Sequence, residues 1–252
     1  MENGLIGVGT DGAGFGSGFA VGGGAGLGGS FFGNKADGKH IAFVVDVSAS
    51  MSNQQLQLMK DELTRSLRGL PSGTSYQVIF FSGPVWFAEQ EIAFEGRTRA
   101  IVKGPGGKKL VWESQSGASG FQFGNGRQAL PVQPWRLAKP GTLSQSIRSV
   151  ESVRRSFGTT WRQPLRMALT MDPKPEVIYF MTDGVVNKAD EDVREITRLN
   201  RRGAGKAKIF TTAMMQPKAA KQLYELADNN GGSFSIVRAD GSVVTGKDAL
   251  RQ

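Results

Sequence analysis

The chain has 252 residues, 39% of them hydrophobic and 21% charged, with a net charge of +9 and a mean hydropathy of −0.26; this is the balance of a globular protein large enough to bury a core. With no cysteine and a single histidine, His40, disulfides, thiolate metal sites, iron–sulfur clusters, cysteine nucleophiles and multi-histidine metal sites are excluded. No run approaches the roughly 18 apolar residues of a membrane span, and the N-terminus lacks the basic start and apolar stretch of a secretory leader. The chain as given reads as soluble, with its compartment and oligomeric state open, and a membrane anchor upstream of Met1 would turn the first segment into a tether.

Residues 1–38 read as a glycine-rich flexible linker, since residues 1–33 hold 14 of the 35 glycines and such a composition does not pack a core. A G-x-G-x-x-G match at Gly7, Gly9 and Gly12 has no strand before it and no helix after it, so it is not read as a dinucleotide loop. A domain is expected from 39 to 240, with 241–252 as a tail. Its first element is the apolar run Ile41–Val45, of the kind found in a buried parallel strand. Leu56, Met59, Leu63, Leu67 and Leu70 then follow at helical spacing, closed by Gly69 and Pro71.

Further strands are expected at Tyr76–Phe81, Val177–Met181, Lys208–Ala213 and Ser233–Val237, and helices at about Leu143–Arg154, Gln163–Thr170, Ala189–Arg201 and Lys218–Asp228. The alternation predicts an α/β fold with a doubly wound, mostly parallel sheet flanked by helices. Between about 84 and 141 the rhythm breaks into short apolar fragments separated by glycine and proline, which reads as a β-rich insertion. From Gly96 to Lys139 it carries Arg97, Arg99, Lys103, Lys108, Lys109, Arg127, Arg136 and Lys139 against Glu113 alone. This basic stretch, interleaved with Trp112, Phe121, Phe123 and Trp135, fits an anionic partner. In a second basic series, Arg194, Arg198, Arg201, Arg202, Lys206 and Lys208, opposed by Glu195 alone, four residues lie on a predicted helix and its end, where they also suit the negative helix end. Gly104-Pro-Gly-Gly-Lys-Lys109 fails as a phosphate loop, because Lys109 stands where a Ser or Thr is needed.

Open α/β sheets bind ligands at the carboxyl ends of their strands. There the sequence places Asp46-Val-Ser48-Ala-Ser50 after the first strand and Thr182-Asp183-Gly184 after the strand ending at Met181, with Phe157-Gly-Thr159-Thr160-Trp161 in a loop that opens a helix. All are hard oxygen donors, suited to Mg²⁺ or Mn²⁺ with room for an outside oxygen ligand. Taken alone, D-x-S-x-S reads equally as a helix N-cap. It also lacks the second carboxylate of D-x-D-x-T, which an aspartate-based phosphoryl-transfer enzyme would use as acid or base.

Together the three segments resemble the von Willebrand factor A (VWA) domain with its metal-ion-dependent adhesion site. The resemblance runs from about His40 to Val237, interrupted by the basic insertion. Phe31-Phe-Gly33, Trp161-Arg-Gln-Pro-Leu165 and Lys174-Pro-Glu176 also resemble bacterial VWA proteins of the planctomycete or verrucomicrobial type. The resemblance implies that Ser48 and Ser50 ligate the metal directly and that Asp46 and Asp183 bind directly or through water. One threonine completes the set: Thr159 by alignment of Pro164-Leu165 with the family's helix, or Thr160 as substitute. It further implies a non-catalytic module in which the metal bridges to an acidic residue of a protein partner; the charge of the insertion adds the expectation that Arg97, Arg99, Lys103, Lys108, Lys109 and Arg127 attract such an acidic surface. A second reading is a nucleic-acid-binding module, since VWA-like domains also occur in Ro-type RNA-binding proteins. A third, a metal-assisted hydrolase, lacks a recognisable general acid or base.

Overall fold

The computed structural model describes residues 28–117, 120–126, 128–203, 205–215 and 217–251. Most of the expected linker, its G-x-G-x-x-G match and Arg127 lie outside the described residues. In chain order the elements are β1 (Gly28–Phe31), β2 (Asn34–Asp37), β3 (His40–Asp46), α1 (Asn53–Arg68), β4 (Ser75–Phe81), β5 (Val85–Phe87), β6 (Ile92–Glu95), β7 (Arg99–Lys103), β8 (Lys109–Ser114), β9 (Phe121–Phe123) and β10 (Arg136–Leu137). They continue with α2 (Pro140–Ser152), α3 (Arg162–Leu169), β11 (Val177–Thr182), α4 (Ala189–Asn200), β12 (Lys208–Met214), α5 (Ala220–Asn229), β13 (Phe234–Val237) and β14 (Val243–Thr245).

The predicted α/β architecture is what the chain adopts. Parallel strands lie side by side in the order β4-β3-β11-β12-β13, with β10 and β5 antiparallel on β4 and β14 antiparallel on β13. Chain order therefore reverses between β3 and β11, and a crevice opens at the carboxyl ends of two strands whose connections leave in opposite directions. Every residue of β11 is buried, as are the last six of β3, which is why both read as unbroken apolar runs rather than alternating ones.

Helix α1 starts at a capping box: the Ser52 side chain accepts from the Gln55 N–H at 3.1 Å and the Gln55 side chain accepts from the Ser52 N–H at 2.7 Å. Its apolar face, Met59, Leu63 and Leu67, is buried. Helices α1 and α2 pack together, as do α3 with α4 and α4 with α5. Aromatic rings fill the space above and below the sheet. Phe43 stacks on Tyr179 with centroids 5.4 Å apart, and Phe81 stacks on Phe180 at 5.5 Å, with Trp161 edge-on to Phe180.

Three local features depart from the sequence reading. Residues 28–37, expected as linker, form the β1–β2 hairpin. Phe31 is fully buried against Phe43 and Tyr179, and the Tyr179 hydroxyl donates to the Gly29 carbonyl at 2.6 Å. A Cβ at Gly29 would come within 3.1 Å of the Ile41 side chain, so glycine lets the hairpin lie this close. At the other end β14, expected as tail, extends the sheet. Within the expected insertion, β5 and β10 belong to the main sheet, and β6–β9 alone form a separate four-stranded antiparallel sheet. In that sheet Val102, Leu110, Trp112 and Phe121 are buried, in the same hydrophobic cluster as the main-sheet core.

Because Phe31 ties the hairpin to the sheet, Phe31→Ala should lower unfolding stability by about 3–5 kcal/mol in urea denaturation. A loss under about 1 kcal/mol would mean that the hairpin contributes little to the fold.

Candidate metal centre

Strand β3 delivers Asp46 to the crevice and β11 delivers Thr182 and Asp183, so the two carboxylates come from the two strands that flank the reversal of chain order. Asp46 is fully buried. Its Oδ1 accepts from the Ser48 N–H at 2.8 Å, an Asx-type turn that bends the chain out of β3, and its Oδ2 accepts from the Thr182 hydroxyl at 2.5 Å. The turn brings Ser48 and Ser50 to the same side, their hydroxyl oxygens 2.8 Å apart, and both hydroxyls donate to Asp183 Oδ1, at 3.2 Å and 3.0 Å.

The threonine loop is stitched to the same place. The Ser156 N–H donates to the Val47 carbonyl at 2.8 Å, and Ser48 and Ser156 form an isolated parallel bridge. Thr159 lies over Gly184, where a Cβ would meet its Cγ2 at 3.3 Å and its Oγ1 at 3.5 Å. A side chain at 184 would thus crowd the threonine beside Asp183. Thr160 lines a groove that Thr159 also borders, together with Arg162, Val185 and Lys188. The structure therefore gathers Asp46, Ser48, Ser50 and Asp183 into one cluster, with Thr159 over the neighbouring Gly184. The sequence reading had no role for Thr182, which fixes the Asp46 carboxylate; its only signal was a hydroxyl directly after a buried strand.

Burial, and then repulsion from Asp183, pushes the Asp46 carboxyl up to about 7, against hydrogen bonds from Thr182 and Ser48 that favour its anion. Burial raises the Asp183 carboxyl as well, opposed by the two serine hydroxyls. No basic side chain is among the groups acting on either acid. Two buried carboxylates whose hydrogen-bond partners are hydroxyls and backbone N–H groups form a hard-oxygen set with uncompensated negative charge, which fits a small divalent cation. Among the described residues no group of three or more His, Cys, Asp or Glu side chains gathers at metal-binding spacing; here hydroxyls make up the rest of the set. His40 stands at the opposite end of β3, 3.4 Å from Glu176.

The basic stretch is less cationic in space than along the chain. Arg99 pairs with Glu95 and Glu113, Lys103 with Glu91 and Arg136 with Glu89. Glu113 is thus not the only opposing acid, because Glu89, Glu91 and Glu95 lie just before the stretch that was counted. Lys108 and Lys109 are exposed. Arg97 sits over the Phe157 ring, 4.9 Å from its centroid, which brings the insertion to the threonine loop. In the second basic series, Glu195 is engaged by Arg162 and Arg166 rather than by that series.

A family model described as the von Willebrand factor type A domain matches residues 39–92 and 123–236, more than half of the chain. The chain belongs to the von Willebrand factor type A family. No curated protein sequence matches it. Among solved structures it is similar to a von Willebrand factor type A protein from Catenulispora acidiphila, at 15% identity and a TM-score of 0.54 over 81% of this chain and 40% of that one. It is also similar to proximal thread matrix protein 1 of the mussel byssus with a zinc-occupied MIDAS motif, at 14% identity and a TM-score of 0.49 over 80% of this chain and 44% of that one. The chain thus spans less than half the length of either. VWA domains often mediate metal-dependent protein interactions and are typically non-catalytic. The gap in the family match, 93–122, falls on β6–β8 and the start of β9. Among the described residues of this VWA domain no helix is long and apolar enough to cross a membrane.

In metal-free protein the folded state holds the Asp46 proton to higher pH than the unfolded chain does. The stabilisation it brings is complete in acid and is lost as pH rises from the usual carboxylate range through about 7. With chelator present, wild type should therefore lose stability relative to Asp46→Asn over that window in urea denaturation. Parallel pH profiles for the two proteins would contradict the charge balance described for the site.

Proposed function

We propose that this chain is a non-catalytic, metal-dependent protein-binding module of adhesion or scaffold type. Asp46, Ser48, Ser50, Thr159 and Asp183 hold a Mg²⁺ or Mn²⁺ ion, and the ion bridges to a carboxylate of an acidic partner protein. The observation that carries the reading is the convergence of both serine hydroxyls on Asp183 beside the buried Asp46, with no basic side chain to balance the charge. The metal supplies a Lewis-acidic position for an outside oxygen. The protein's own work is orientation: Thr182 fixes Asp46, and the Asp46 acceptor holds the turn that presents Ser48 and Ser50.

Thr159 is favoured over Thr160 as the threonine ligand because it is the one that lies over Gly184, next to Asp183. The binding role is favoured over hydrolysis by chemistry. Both acids are drawn into the donor set, and the sequence's one histidine begins β3 instead of ending it, so neither acid is left over as a separate proton carrier and the histidine does not stand with them. The partner's acidity fits the hard cation and the chain's net charge of +9.

Calorimetric titration of Mg²⁺ and Mn²⁺ into metal-free protein tests this reading. Saturable binding is expected in wild type and its loss in Asp46→Ala and Ser48→Ala variants that keep their circular dichroism. Thr182→Val, which removes only the hydroxyl that orients Asp46, should weaken binding about 10- to 100-fold. Thr159→Ala should weaken it more than Thr160→Ala. Equal affinity in wild type and Asp46→Ala would overturn the assignment.

A further inference from the structure

A second groove shares no lining residue with the threonine groove. Between β5, β6 and the C-terminal end of α2 runs a groove of about 390 Å³, floored by Phe80, Trp86, Ile92 and Phe94 and rimmed by Arg154 and Arg155, within the size range of ligand pockets. Phe94 is one of the exposed large apolar residues, at 36%, and its ring meets Trp86 edge-on with centroids 6.3 Å apart. It sits on β6, which among the described residues pairs with β7 alone and so forms one of the two edges of the four-stranded sheet. An edge strand with a partly exposed aromatic is a surface that folded proteins ordinarily cover or blunt with charge.

The rim has the opposite character. Where Arg99, Lys103 and Arg136 of the insertion region are paired with glutamates, Arg154 and Arg155 meet no carboxylate at ion-pair distance among the described residues. Arg155 donates to the Met51 carbonyl and, at 2.8 Å, to Asn53 Oδ1. That fixes its guanidinium on the segment joining Ser50 to α1. Arg154 lies close enough to Lys60 to help burial hold the lysine's ammonium below its ordinary range, with Glu151 acting against it. Lys60 donates to the Glu151 carbonyl at 2.8 Å. The groove thus joins an apolar floor to a cationic edge.

We propose that this groove binds a peptide segment of a partner protein in which a large apolar side chain, aromatic for preference, is flanked by carboxylates. The apolar side chain lies in the groove against the Trp86–Phe94 pair, and a carboxylate meets the Arg154 guanidinium. The surface does not depend on a metal ion, and it adds to the metal position a requirement for apolar character in the ligand.

The test uses the full chain labelled with ¹⁵N, in chelator so that no metal bridge operates, and a capped glutamyl-phenylalanyl-aspartyl amide as probe. The sequence has four tryptophans, and only Trp86 lines the groove, since Trp112 packs on Phe123, Trp135 on His40 and Trp161 on Phe180. Saturable movement of the Trp86 indole signal at millimolar peptide is expected. It should weaken about tenfold in Arg154→Glu, in Phe94→Ser and with the neutral glutaminyl-phenylalanyl-asparaginyl analogue. Both substitutions are at exposed positions, and unchanged signals from the other three indoles verify the fold. An unmoved Trp86 signal, or one that responds equally in wild type and Arg154→Glu, would overturn the proposal. Either result leaves the calorimetric test of the metal position independent.

Discussion

The local structure around the crevice is organised by a buried carboxylate at the end of β3. Asp46 has no access to solvent, so its negative charge must be met by hydrogen bonds, a proton or a cation. The chain supplies two hydrogen bonds, from the Ser48 N–H and the Thr182 hydroxyl, and each has a structural consequence. The first turns the backbone so that Ser48 and Ser50 face Asp183. The second locks β3 to the end of β11 across the point where chain order reverses. The same turn receives the Ser156 N–H on Val47, so the threonine loop is placed by it too. Geometry that looks like several independent side chains in one crevice follows largely from satisfying one acid.

The sheet explains why the acid can be there at all. Parallel strands covered on both faces bury their full length, including the residue at the carboxyl end. A polar side chain at that position is therefore desolvated before any partner arrives. Desolvation is the first cause of the raised carboxyl at both Asp46 and Asp183, and repulsion between them comes on top for Asp46. A cation bound there would relieve both effects at once, because it needs the carboxylates ionised and close together.

What could be read from the sequence divides along the same physical lines. Strands β3, β4, β11, β12 and β13 announced themselves as apolar runs because burial on both faces removes the polar alternation. The site was legible because its donors sit in short linear motifs at strand ends. The β1–β2 hairpin was not, because glycine dominates its neighbourhood and hides the two residues, Phe31 and Phe32, that hold it to the core. Cross-strand pairing was out of reach as well. Arg99 meets Glu113 because the register of β7 on β8 sets those residues opposite each other, and no count of charges along the chain contains a register. Thr182 was visible as a residue but not as a positioning group, since its partner lies 136 residues away.

The insertion gives the fold its individual character, and its attachment shows how it can matter to the site. It leaves the main sheet after β5 and returns at β10, and both strands lie on β4. Its root is therefore fixed to the strand beside β3. Arg97 reaches from the turn after β6 to the ring of Phe157, and the Phe157 carbonyl accepts from the Gly83 N–H at 2.7 Å. The threonine loop is thus gripped from both sides by residues that begin or belong to the insertion. A displacement of the β6–β9 sheet would pull on Phe157, two residues from Thr159. In a bridging mechanism the metal would contribute an attraction common to any carboxylate, and discrimination among acidic partners would have to come from what surrounds it. On the binding role proposed above, the β6–β9 sheet, with Arg97 on the ring of Phe157 and Phe94 exposed on an edge strand, would be a source of that discrimination.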